Sequence, residues 1–186
     1  KTGLTEAFEN GKRRGYVNGI DVIEFDLKYD NNMGFFSRLG IFIKFALFSI
    51  ILAIREPADV VFASTTPLTA GIPGIAARLF TRRKFVFEVR DLWPELPKAL
   101  GIVRNPLLLG MMFALEWLSY RMANKLVGLS PGIVEGILRR GIPRHRITMV
   151  PNGCDLEMFS TNNIGWRPEG VREDHLLAIF CGTHGL

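Results

Sequence analysis

Apolar and polar positions follow two different rhythms along this chain. Residues 20–27 (IDVIEFDL) alternate apolar with acidic side chains, the period of a strand with one solvated face. Residues 35–54 form an apolar stretch too long for a strand. Residues 59–63 (DVVFA) are a short β-branched run and predict a buried strand. Residues 67–80 (PLTAGIPGIAARLF) open with Pro at a first helical turn, so a helix is expected. Strand periodicity returns at 84–89 (KFVFEV), 125–129 (KLVGL) and 147–150 (ITMV). Between them lie a helix at 106–123, apolar around most of its circumference, and an amphipathic helix at 131–140 with Ser130 as N-cap. Residues 161–174 are apolar-poor and rich in turn formers, which predicts a linker, and 176–181 (LLAIFC) read as a last strand.

Strands separated by helical segments predict an α/β fold with a parallel sheet sandwiched by helices. Ligands of such sheets bind beyond the carboxyl ends of the strands. That directs attention to Ser64-Thr65-Thr66, Arg90 to Glu95, Ser130, Asn152-Gly153-Cys154-Asp155 and Gly182-Thr183-His184-Gly185.

Composition narrows the class. The chain has 186 residues, 48% of them hydrophobic, which excludes disorder. Two cysteines, Cys154 and Cys181, do not make a disulfide scaffold and are expected to be reduced. A net charge of +5 and a pI of about 9.5 on a chain of mean hydropathy +0.18 point to an anionic partner, nucleic acid or membrane. The basic residues sit in scattered clusters such as Lys12-Arg13-Arg14 and Arg82-Arg83-Lys84, without interleaved aromatics, so nucleic acid is not expected. The chain starts without Met on a polar segment lacking signal-peptide character, which reads as a fragment.

Residues 35–54 admit three readings. Twenty apolar-rich residues can span a bilayer, but Arg38 and Lys44 lie inside the stretch. On a helix, Ser37, Lys44 and Arg55 fall on one narrow stripe and the rest is Phe, Ile and Leu, which fits a core helix or an interfacial one. Arg90-Asp91 also has two readings. The Asp can bond a substrate hydroxyl and the Arg a phosphate, or the two can simply stitch loops together with Trp93 packed beside them. Asn152-Gly153 makes a tight turn. The glycines near Thr183 allow backbone amides to approach a diphosphate, a weak signal in itself. His145 and His175 lie in polar turns, and neither metal-ligand spacing nor a nucleophile–His–acid arrangement is present in the sequence.

FEVRDLWPE after a strand, LSPGIVEGILRRGIP before the next and MVPNGCDLEMF after it resemble the N-terminal half of family-4 glycosyltransferases of the GT-B fold. The order RDLWP, then PNG-x-D-x-x-x-F about sixty residues later, carries the resemblance, which extends from Ile20 to Leu186. Within the family it is nearest the enzymes of O-antigen, capsule and other bacterial surface polysaccharides.

The resemblance implies a Rossmann-like parallel sheet with helices on both faces. Residues 1–160 would be the acceptor-binding domain, lacking its first strand and Gly-rich loop. Residues 161–174 would be the linker, and 175–186 the first strand and glycine loop of a truncated donor domain. Retaining sugar transfer is implied, from a nucleotide-sugar to a lipid-linked saccharide, at the cytoplasmic face of the plasma membrane and peripheral to it. An anionic membrane surface is thus an expected partner. No cofactor or metal is implied beyond the nucleotide-sugar as substrate.

By this resemblance Asp91, with Arg90, is the catalytic candidate. Arg90 stands where the family often has His, so a role resting on that imidazole does not carry over. Ser64, Thr65, Thr66, Trp93, Glu95 and Ser130 would line the acceptor side. Asn152, Gly153 and Asp155 would face the interdomain cleft, and Gly182, Thr183 and Gly185 the donor diphosphate. The isolated chain is expected to be inactive. Two rivals remain on this reading: a nucleotide-sugar 2-epimerase of the same fold, and a non-catalytic membrane-peripheral module.

Overall fold

The computed structural model describes residues 2–30, 33–65, 67–154, 156–157, 168–172 and 174–178. The chain divides into two compact units, Lys1–Pro151 and Asn152–Leu186. All regular elements described below belong to the first.

The first unit opens with a β-hairpin, β1 (Lys12–Val17) and β2 (Ile20–Phe25), paired antiparallel. Asn18 (φ 51°) and Gly19 (φ 80°) make its two-residue turn, and both residue types tolerate the left-handed region the turn requires. This corrects two expectations. The sequence reading places no element over residues 12–17 and expects residues 20–27 as a strand of the parallel layer. Asn-Gly between two strand-length runs favours local pairing, so β2 pairs with β1 and not with the parallel sheet. Arg13 and Glu24 (2.8 Å), and Arg14 with Asp21, tie the hairpin together across its face.

Helix α1 (Phe35–Arg55) follows, then β3 (Val60–Ser64), a 3₁₀ turn (Leu68–Ala70), α2 (Gly71–Thr81) and β4 (Lys84–Val89). A short α3 (Glu95–Ala99), a long α4 (Pro106–Met122), β5 (Lys125–Gly128), α5 (Pro131–Arg139), a 3₁₀ turn (Arg144–Arg146) and β6 (Ile147–Met149) complete the unit. The strands form one parallel sheet in the order β3-β4-β5-β6, flanked by helices. The α/β architecture is therefore the one the sequence predicts, from β3 onward. The expected helix over 67–80 divides into the 3₁₀ turn and α2, and α3 was not foreseen.

The core lies on one face of the sheet. Phe85, Phe87 and Val89 of β4, Leu126 of β5 and Ile147 of β6 are buried against Ile75, Tyr120, Val134 and Ile137 of α2, α4 and α5. Gly74 allows α2 to lie directly on β4, since a Cβ there would stand 2.0 Å from the buried Phe85 ring. Arg146 closes the C-terminal end of α4, donating to the carbonyls of Tyr120 (3.0 Å), Arg121 (3.2 Å) and Ala123. Burial lowers its pKa, with the cationic Arg121 and Arg78 adding to the effect.

Helix α1 is not a core helix. It packs along α2, and its C-terminal end is anchored by Arg14 to Glu56 (3.1 Å) and by Arg83 to the Ala53 carbonyl (2.8 Å). Phe25 of β2 meets Phe45 and Phe48, and Tyr29 stacks on Phe42. Of its described side chains Ala46 alone is fully buried, while Phe36 is 84% exposed.

The second unit has no regular element among its described residues. The expected linker at 161–174 lies largely outside the described residues. So does the expected strand at 176–181, except for 176–178, which carry no regular structure.

Candidate functional site

The carboxyl ends of β3, β4 and β5 place three loops side by side, because parallel pairing puts the strand ends at one edge. β3 ends in Ser64, paired in register with Glu88 of β4. The Ser64 hydroxyl donates to the Glu88 carboxylate. Thr65 follows, only 2% exposed. Its amide donates to the Glu88 carbonyl (3.0 Å), and its Oγ1 accepts from the Arg90 amide (2.8 Å). Thr65 thus continues the β3–β4 pairing past the last ladder bond and fixes where the next loop starts. A buried hydroxyl used in this way has no water to fall back on, so the tie is specific.

The β4 loop carries Arg90, Asp91, Leu92, Trp93 and Pro94. Arg90 is exposed and Asp91 half-buried, which leaves both within reach of a ligand at the edge. The Trp93 amide donates to the Asp91 carbonyl (3.1 Å), and the Trp93–Pro94 bond is cis. Trp93 packs against the core while its Nε1 is buried without a hydrogen-bond partner, as is Oγ1 of Thr69 in the loop after β3. Leu92 sits against α5, where a Cβ at Gly136 would come within 2.6 Å of it.

Glu95 starts α3 and is committed to an ion-pair cluster. Arg140 at the end of α5 reaches Glu95 (2.9 Å) and Glu116 of α4 (2.9 Å), and lies over the Phe113 ring at 5.2 Å. Glu116 is 2% exposed. Burial raises its pKa, with Arg140 opposing. Burial also raises the pKa of Tyr120, with the Glu116 charge contributing. One guanidinium therefore links the C-terminal ends of α5 and the β4 loop to the buried interior of α4.

Ser130, at the end of the β5 loop, caps α5, its Oγ accepting from the Ile133 amide (3.3 Å). Its hydroxyl is thus committed to the helix as the sequence predicts.

The structure brings Ser64, Thr65, Arg90 and Asp91 to one edge, with Trp93, Glu95 and Ser130 in the adjoining loops. Glu95 acts there as an anchor of its loop through Arg140. Asn152 and Gly153 are exposed and open the second unit. Thr66, Asp155, Gly182, Thr183 and Gly185 lie outside the described residues. Arg140, Glu116 and Thr69 were not read from the sequence. A single acid inside the apolar-rich α4 is the signal that points to Glu116. Among the described residues Cys154 is a free, exposed thiol, and no cluster of three or more His, Cys, Asp or Glu comes together.

A comparison with curated proteins gives no match. Solved structures of Alr3699/HepE from Anabaena are similar to this chain. The complex with UDP has 16% identity and a TM-score of 0.43, covering 69% of this chain and 31% of that one. The complex with UDP-glucose has 17% identity and a TM-score of 0.43, covering 69% and 30%. The chain thus spans under a third of the length of those proteins. The sequence model of the glycosyl transferase 4-like domain matches residues 4–153. That match takes in the hairpin, the whole parallel sheet and the loops carrying Thr65, Arg90 and Asp91, and this chain belongs to the glycosyl transferase 4-like domain family.

Proposed function

We propose that this chain is the acceptor-side domain of a retaining glycosyltransferase that moves a sugar from a nucleotide-sugar to a lipid-linked saccharide. The pathway is synthesis of a surface polysaccharide, at the cytoplasmic face of the membrane. The observation that carries the reading is the Arg90–Asp91 pair, held by Thr65 at the carboxyl edge of a family-4 sheet.

Asp91 orients the acceptor hydroxyl by accepting its hydrogen bond, which places the oxygen for attack and stabilises the charge that develops on it. Arg90 offers planar donors to an anionic group of the acceptor, such as a phosphate. Both act on geometry already set by Thr65 and by Trp93 against the core, so little reorganisation is needed on binding. The donor diphosphate is assigned to the glycine loop of the second unit, with Gly182, Thr183 and Gly185. Asn152, Gly153 and Asp155 are assigned to the cleft. No metal takes part in this scheme, and departure of the nucleotide is stabilised by residues of the donor domain.

The test uses the full-length natural protein with a panel of radiolabelled nucleotide-sugars and lipid-linked saccharides. Sugar incorporated into lipid, with the anomeric configuration of the donor kept, is the expected result. Interconversion of the free nucleotide-sugar without an acceptor would make it an epimerase instead. Membrane binding with neither activity would make it a non-catalytic module.

A further inference from the structure

The exposed apolar surface of the first unit is concentrated. Along α1, Phe36, Ile43, Leu47 and Ile51 are exposed at spacings of seven and four, which line one stripe. An 18-residue stretch within Phe36–Arg55 reaches a mean hydropathy of 2.0, and only 6% of it is buried. At Phe36 the stripe runs into a groove of about 340 Å³ between the N-terminal ends of α1 and α4. This volume falls in the ~300–1,000 Å³ range of small-ligand sites. Phe36 and Leu39 form one wall, and Ile102, Leu107 and Met111 the other.

The groove has two polar residues. The Asn105 side chain caps α4, accepting from the amides of Leu107 (2.9 Å) and Leu108 (3.2 Å). Arg104 is exposed, its Nε donating to the Gly101 carbonyl (3.2 Å). Neither α1 nor the stretch 100–111 contains an acidic residue, whereas Lys44 and Arg55 lie beside the α1 stripe. The surface is therefore apolar with positive charge only, which is complementary to an amphiphile with an apolar chain and an anionic head.

Topology fixes where this surface faces. α1 and α4 feed β3 and β5 through short connections at 56–59 and 123–124. Both helices therefore run back against the strands they feed. Their N-terminal ends stand at the carboxyl edge of the sheet, the edge of Ser64, Arg90 and Asp91.

We infer that the α1–α4 groove takes up one lipid chain of an anionic bilayer, with Arg104 against the lipid phosphate and the α1 stripe in the interface beside it. This deepens the membrane-peripheral part of the proposed function and rests on it. Docking in this pose turns the acceptor loops toward the membrane surface, so a lipid-linked saccharide reaches Asp91 without leaving the bilayer.

Flotation of the chain with phosphatidylcholine vesicles, with and without phosphatidylglycerol, tests this. The chain is expected to float with the anionic vesicles. Leu107→Asp with Met111→Asp should lower the bound fraction at least ~10-fold, the scale of withdrawing two buried apolar side chains. Arg104→Gln should lower it ~5-fold on anionic vesicles only, as should added salt. These positions are exposed, and circular dichroism melts confirm folding; Leu107→Gln with Met111→Gln replaces the pair if it does not fold. Unchanged binding in the groove variants, with loss in Ile43→Asp and Ile51→Asp, would overturn the groove as the site. Equal binding to neutral vesicles would overturn the headgroup contact. Absence of vesicle binding, with a dimer that the groove variants dissociate, would assign the surface to a second copy. No sugar enters this assay, so failure of the transferase reading shows itself separately, as vesicle binding without sugar transfer.

Discussion

Thr65 shows what a single side chain decides here. Its hydroxyl supplies the acceptor for the Arg90 amide in a place water does not reach. Thr65→Val keeps the shape and removes the acceptor, which should cost ~1–3 kcal/mol in unfolding measurements and lower kcat/KM by loosening the Arg90–Asp91 loop. Asp91→Ala should act the other way round: kcat/KM falls ~10²-fold or more while the melting temperature stays near that of the unsubstituted protein. Retained activity with a collapsed melting temperature would make Asp91 a structural residue.

Glu116 carries a pH signature of its own. Its pKa is raised in the folded chain, chiefly by burial, so the folded state keeps the proton where the unfolded state has lost it. Stability from this group is therefore present below the ordinary Glu range and falls as pH rises through the folded pKa. Glu116→Gln should flatten stability against pH above ~4.5 in denaturant titrations. Arg140→Ala leaves the carboxylate buried without its counter-charge, with the Tyr120 hydroxyl as its remaining partner. Its cost should be ~3–5 kcal/mol at pH 7 and smaller in acid, where Glu116 is neutral.

At the scale of elements, α2 and β3 carry the informative contacts. Gly74 sits in a helix, where Ala ordinarily gains ~1 kcal/mol. A Cβ 2.0 Å from the buried Phe85 ring reverses the sign, and Gly74→Ala should destabilise by ~1–3 kcal/mol in chemical denaturation. Among the described residues β3 is an edge of the sheet, and Phe62 on it is 58% exposed. An unpaired apolar edge templates association. Phe62→Lys should leave the melting temperature little changed and reduce concentration-dependent light scattering; unaltered scattering would place the sticky surface elsewhere.

Most elements were legible because each carries its own local signal. Alternation marks β4, a Pro after a capping residue marks the starts of α4 and α5, and Ser130 caps α5 as its position predicts. The hairpin was missed because KRRGYV is too polar to read as a strand, although Asn18-Gly19 stood in the sequence as a turn signal. α3 is too short for a periodicity to declare itself.

At the scale of the whole molecule, the acceptor-side unit and the second unit divide the work proposed for them. In the proposed scheme the donor diphosphate meets Gly182, Thr183 and Gly185 together with residues of a donor domain. Calorimetry of the 186-residue chain with a panel of nucleotide-sugars should accordingly give no micromolar binding; a micromolar complex would move the donor site onto the sheet edge described above.

The sequence alone determined that this is a basic, apolar α/β chain with its candidate site residues after the strands. Those properties follow from periodicity and chain order, which are local. It also left residues 35–54 as core, interfacial or spanning. Only the tertiary structure removed the core reading, since burial depends on which neighbours cover a helix and α2 covers one stripe of it. The tertiary structure likewise decided the roles of Glu95, Arg140 and Glu116. Their pairing joins residues from three helices, and no pattern along the chain records which distant charge a folded side chain meets.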